Sequence, residues 1–251
     1  MAGRERLRHA LALGAAVAGA LTAAGCTSPL GDEHAAPALN AAIAPSDSRS
    51  ARVGVLLADQ GTSRSCTASV VDSPGHNLLL TAAHCVTNAD GSPVTGLAFA
   101  PAYRDGANPL GSWPVDRVVV DQRWSQGADP EYDVAFLTVD PVGGKQIEDV
   151  VGGNPIGVNR GFDLPVTVTG YPFDHEDPIT CSTRTTAQSA TQERFDCGGF
   201  SDGTSGSPWL TGDDTVVGVI GGYQQGGDTP DISYSVTFDN RVSTLYQQAT
   251  Q

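Results

Sequence analysis

An all-β fold is what this chain of 251 residues predicts, and three observations predict it. Short apolar or alternating runs rich in Val and Thr recur from about Arg52 onward. Gly, Pro, Asp and Asn cluster between them. No stretch before the C-terminal tail keeps a helical period. About 200 residues of such strands can close into one or two barrels around a sizeable core.

Taken in order, residues 1–25 (MAGRERLRHALALGAAVAGALTAAG) set Arg4, Arg6 and Arg8 ahead of an apolar run. That run, about 15 residues, has the length of a signal-peptide core and is too short to span a membrane. Cys26 follows at once. The stretch LTAAGCT resembles a bacterial lipobox with Ala23 where leucine is usual, so a lipid on Cys26 is expected, the alternative being cleavage nearby and full secretion. Residues 26–50 are Ala, Pro and Ser rich without a period and read as a flexible tether, which leaves 51–251 as the folded domain.

Within that domain the strand-like runs are RVGVLL, CTASVV, NLLLTAA, GLAFAP, DRVVVD, VAFLTVD, PVTVTGY, TVVGVIGGY and SYSVTF. A short helix is expected only at the tail, where Val242, Leu245 and Tyr246 recur at helical spacing. After the signal no run is long enough to cross a membrane.

The cysteines number five, an odd count for an exported and hence oxidising context. Lipidation of Cys26 leaves four, which fall into the local pairs Cys66 with Cys85 and Cys181 with Cys197. Each disulfide would contribute roughly 3 kcal/mol by the loop-entropy argument. No C-x-x-C spacing suggests a metal site, and no metal or cofactor is expected. With 14 basic and 28 acidic residues the net charge is −14, which disfavours nucleic acid and an anionic membrane face as partners. The expected species is a monomer in the extracellular space, touching a membrane only through its N-terminal lipid.

Chemistry is suggested by three stretches. LLLTAAHCV closes an apolar run on His84, a candidate general base. EYDVAFLTV places Asp133 at the head of a run that leads into the core, where an ionised carboxylate needs hydrogen-bond partners and an imidazole Nδ1–H would suit it. Asp129 and Glu131 lie close by but read as a solvated turn beside Pro130. SDGTSGSPW puts Ser205 between Gly203 and Gly206, in a turn whose Gly203 and Ser205 amides can converge on one oxygen as an oxyanion hole. A serine, an imidazole and an orienting carboxylate are the parts of hydroxyl-based nucleophilic catalysis. Their order is His, Asp, Ser, and residue 207 is serine, so the G-x-S-x-G elbow of an α/β-hydrolase fails.

TAAHC, YDVAFL and GTSGSP resemble the histidine, aspartate and serine motifs of trypsin-like, chymotrypsin-fold serine endopeptidases over roughly residues 52–246. GTSGSP in place of GDSGGP is similar to the bacterial glutamyl-endopeptidase-like branch. The resemblance implies two six-stranded antiparallel β-barrels with the active site between them, a His84–Asp133–Ser205 triad and a peptide or protein substrate. It also implies that Cys66 and Cys85 clamp the loop carrying His84.

Two departures matter. Thr204 stands where trypsin-type zymogens carry the aspartate that receives a freed N-terminal amine, so insertion-type activation is not expected. By the same alignment Gly199 lies near the base of the specificity pocket, and Ile220 stands where glutamyl endopeptidases carry a histidine. Gly221, Gly222 and Tyr223 would form the pocket wall, with Tyr223 narrowing it. The runner-up is a catalytically latent, protease-like binding module at the cell surface.

Overall fold

The computed structural model describes residues 39–251. The signal segment, Cys26, tether residues 27–38, His9 and His34 lie outside them. The remainder of the expected tether is not loose. It contains β1 (Ala42–Ile43) and a single turn of helix, α1 (Ser48–Ala51), capped by Asp47, whose Oδ1 accepts from the Ser50 N–H at 2.8 Å. The domain therefore begins about ten residues before the boundary read from composition, because β1 is held by main-chain pairing that composition does not encode.

The first half runs through β2 (Val53–Ala58), β3 (Ser63–Val71), β4 (Leu78–Thr81), β5 (Ala98–Pro101) and β6 (Trp113–Val120). A short helix α2 (Gln122–Gly127) then leads to β7 (Ala135–Val139). These six strands close into an antiparallel barrel in the order β2, β3, β4, β7, β6, β5. Strand β4 explains the unbroken LLLT run. Leu79 points into the barrel beside Leu56, Phe99 and Leu137, while Leu78 and Leu80 join the outer cluster of Phe136, Val219, Val236 and Leu245. A strand buried on both faces has no polar alternation to show.

A helix α3 (Ile147–Val151) leads to the second half: β8 (Pro165–Gly170), β9 (Ile179–Arg184), β10 (Thr186–Ala187), β11 (Gln192–Asp196), β12 (Pro208–Leu210), β13 (Val216–Val219) and β14 (Ile232–Val236). Here the expectation of a second closed cylinder needs refinement. The strands form a five-stranded sheet, β1-β9-β8-β12-β13, and a three-stranded sheet, β10-β11-β14. Between them pack Val168, Phe195, Trp209 and Val217, with Phe195 and Trp209 ring centroids 5.6 Å apart.

The tail forms α4 (Asn240–Ala249), N-capped by Asp239, which accepts from the Arg241 N–H at 2.8 Å. Its Val242, Leu245 and Ala249 are buried against the outer cluster, and Tyr246 packs edge-on to Phe136. No helix among the described residues is long and apolar enough to cross a membrane. The expected disulfides, Cys66–Cys85 and Cys181–Cys197, are both formed.

One buried carboxyl is expected to make stability depend on pH. Glu193 on β11 is 3% exposed and its Oε2 has no hydrogen-bond partner, so burial pushes its carboxyl up to about 7 while the nearby Thr185 hydroxyl acts weakly in the opposite sense. An unfolded glutamate ionises near 4.3, so between there and 7 the unfolded chain sheds a proton that the folded chain keeps, and stability falls as pH rises. Glu193→Gln is expected to be roughly 3 kcal/mol more stable than the parent at pH 8. The difference should vanish near pH 4, as read from urea midpoints. Parallel stability curves for the two proteins would refute this.

Candidate active site

His84 lies on a single 3₁₀ turn, Ala83–Cys85, immediately after β4. The Cys66–Cys85 disulfide ties that turn back to β3. Its imidazole Nδ1 is 2.8 Å from Asp133 Oδ2, and its own backbone N–H donates to Asp133 Oδ1 at 2.9 Å. A third donor, the Gly222 N–H, reaches Oδ2 at 2.8 Å. Asp133 is fully buried, and these N–H groups replace the water a carboxylate loses on burial. The acceptor pattern fixes the imidazole with Nδ1–H toward Asp133, which leaves Nε2 as the unprotonated ring nitrogen of a residue that lines the cleft. Neither rival acid touches His84: Asp129 caps a 3₁₀ turn at Pro130–Tyr132, and Glu131, half-buried rather than solvated, accepts from Gln192 Nε2.

Ser205 lies on the loop before β12 and lines the same cleft as His84, a space of about 970 Å³ between the two halves. The loop is docked onto the first barrel. The Thr67 N–H donates to Ser205 O at 2.9 Å and Thr67 Oγ1 donates to Gly203 O at 3.0 Å, while the Gly206 N–H donates to Ile220 O at 2.7 Å on the other side. The amides of Gly203 and Ser205 donate to no group among the described residues, which leaves them available to an incoming oxygen. Thr204 is buried and bonds locally, its Oγ1 donating to Ser201 O at 2.7 Å.

The sulfurs of Cys66 and Cys85 lie within 4.8 Å of a His84 nitrogen, a spacing that would suit a metal, but both are consumed in the disulfide and offer no thiolate.

A model of the trypsin-like peptidase domain family matches residues 66–219. The chain belongs to that family. Its members' fold is evident in solved structures too. The protease Anisep from Arthrobacter nicotinovorans superposes with a TM-score of 0.72 at 25% identity, covering 82% of this chain and 98% of that one. The thermostable serine protease AL20 from an extremophilic microorganism gives 0.72 at 24% identity, covering 81% and 99%. A Glu endopeptidase gives 0.69 at 19%, covering 84% and 97%. A search of the curated proteins found no match. This trypsin-like peptidase is thus a chymotrypsin-fold serine endopeptidase, a hydrolase.

The specificity wall of this trypsin-like peptidase departs from the sequence reading. Of the five expected pocket residues only Ile220 lines the cleft, and none of the three expected wall residues does. Gly221 and Gly222 turn inward to Asp133, and Gly199 is backed by Ala41 and Ile179. The Tyr223 ring packs edge-on to Tyr234, 5.0 Å between centroids, and does not line the cleft. The chain reverses at Gln224 and Gln225, both at positive φ, and the wall comes instead from Gln224–Pro230, facing Phe200 and Ser201. The aspartates Asp174, Asp202 and Asp228 line the cleft, and among the described residues no Lys or Arg does.

Proposed function

We propose that this peptidase hydrolyses peptide bonds through His84, Asp133 and Ser205 by way of an acyl-enzyme. The observation that carries the reading is the His84 imidazole, held from behind by buried Asp133 and facing a cleft that Ser205 lines. Ser205 Oγ attacks the substrate carbonyl carbon as His84 Nε2 accepts its proton. The developing oxyanion receives the Gly203 and Ser205 N–H groups, and His84 then protonates the departing amine. Water repeats the sequence on the ester and restores Ser205. Asp133 keeps the tautomer and stabilises the imidazolium between steps.

The rim charge supports a substrate preference. With three aspartates and no cation along the cleft, a glutamate beside the scissile bond meets repulsion, and neutral or basic side chains fit better. The neutral, locally bonded Thr204 supports a peptidase that needs no inserted terminal amine. The N-terminal signal pattern and the disulfides support export, with Cys26 the site of lipid attachment.

The test is a fluorophosphonate probe on the purified protein. Ser205 Oγ attacks phosphorus, fluoride leaves, and the serine proton passes to His84. Labelling is expected on the Ser205 peptide by mass spectrometry and absent in Ser205→Ala. In the same preparation, peptides with Glu next to the cleaved bond should turn over more slowly than their neutral or basic counterparts. A folded parent that takes no label favours the latent binding module instead.

A further inference from the structure

The segment Leu39–Ala44 is bound to the back of the cleft floor. The Ala41 N–H donates to Gly198 O, the Gly198 N–H donates to Leu39 O and the Ala44 N–H donates to Pro178 O, each at 2.8 Å. Strand β1 continues the pairing, with Ala42 opposite Thr180 and Ile43 opposite Ile179 on β9. Contact is close enough that a Cβ added to Gly198 would fall 2.4 Å from Asn40 Oδ1. The outer end is tied by Arg104, whose Nη2 donates to Ala44 O at 2.8 Å.

What the segment backs is the chain leading to the nucleophile. Cys197–Phe200 bonds on its other side to the opposing wall, through Cys197 N–H to Asp231 O and Phe200 N–H to Pro230 O, both at 3.0 Å. Phe200, Ser201, Asp202 and Gly203 then line the cleft in succession, ending at the first oxyanion amide. The floor is thus the middle of three backbone layers, and the outermost layer is the N-terminal segment.

We propose that Leu39–Ala44 is a positioning strap: by adding a strand behind Cys197–Phe200 it sets the cleft floor, and the substrate side chain resting there, in register with Ser205. This rests on the reading of Ser205 as nucleophile. The strap is held to the floor through main-chain pairing, so it supports the floor without a charged terminus or a partner for Thr204.

The test compares the full chain with Ala41→Pro, which deletes the N–H bonded to Gly198, and with Ala41→Gly, which keeps it. A small fluorophosphonate needs the triad but not the floor. Ala41→Pro should therefore label Ser205 within about twofold of the parent rate while its KM for a peptide rises at least about fivefold, roughly the loss of one hydrogen bond at the middle of its net range. Ala41→Gly should restore the parental KM. An unchanged KM in Ala41→Pro overturns the proposal, and so does an equal fall in labelling and peptide turnover, which would mark a general structural role. A parent that does not label at Ser205 overturns the nucleophile reading and the strap's positioning role with it. A labelled parent with an indifferent Ala41→Pro overturns the strap alone.

Discussion

Asp133→Asn is expected to lower kcat for peptide hydrolysis by about 10⁴ with the fold intact. Asp133 receives three N–H donors, from His84 Nδ1, the His84 backbone and Gly222. An asparagine offers one acceptor oxygen and one NH₂ in their place. If the oxygen faces the His84 backbone N–H, the NH₂ is set against both the Gly222 N–H and Nδ1. Nδ1 then becomes the acceptor, the proton moves to Nε2, and the imidazole presents a donor where it must take a proton from Ser205. Flipping the amide exchanges this for two opposed donors at the His84 backbone. Steady-state kinetics together with the thermal midpoint check the claim. A stable variant with more than about a tenth of parental kcat would show that His84 does not depend on Asp133 for its tautomer.

Gly206→Ala is expected to cost about 2–4 kcal/mol, from overpacking together with backbone strain. The residue sits at φ +82, and a Cβ there would fall 2.1 Å from Thr81 Oγ1 and 2.2 Å from Thr67 O. Both neighbours are buried and bonded to each other, with Thr81 Oγ1 donating to Thr67 O at 2.8 Å, so neither can give way cheaply. Gly212 is the control, since a Cβ added there meets nothing within 4 Å. Thermal unfolding should show Gly206→Ala down by roughly 5–15 °C and Gly212→Ala near the parent. Equal midpoints for the two variants would show that the nucleophile loop is not clamped as described.

The catalytic candidates were legible because each is announced by its own neighbours. His84 closes LLLTAA, Asp133 opens VAFLTV and Ser205 stands between two glycines, so local pattern and chain order were enough to name them. The specificity wall was not legible. Its register depends on the path after Ile220, where Gly222, Gln224 and Gln225 all take positive φ, and a run reading GGYQQGG gives no apolar period to count from. Strands β9 and β11 escaped notice because ITCSTR and QERFD are largely polar. On β11 the buried Gln192 spends its side chain positioning Pro130 and Tyr223 rather than filling a core. The strap was hidden for the opposite reason, since alanines that pair through their backbone look like any linker.

The proposed nucleophile and its base are carried by different halves of the molecule. His84 and Asp133 belong to the first barrel, and Ser205 to a loop of the second half that Thr67 holds across the seam. Neither half holds all three members of the proposed triad, and by that reading a chain whose second half is still unfolded has a base without a nucleophile. On the proposed mechanism, activity is therefore a reporter of complete assembly: cleavage requires both halves to be folded and docked across the Thr67 seam.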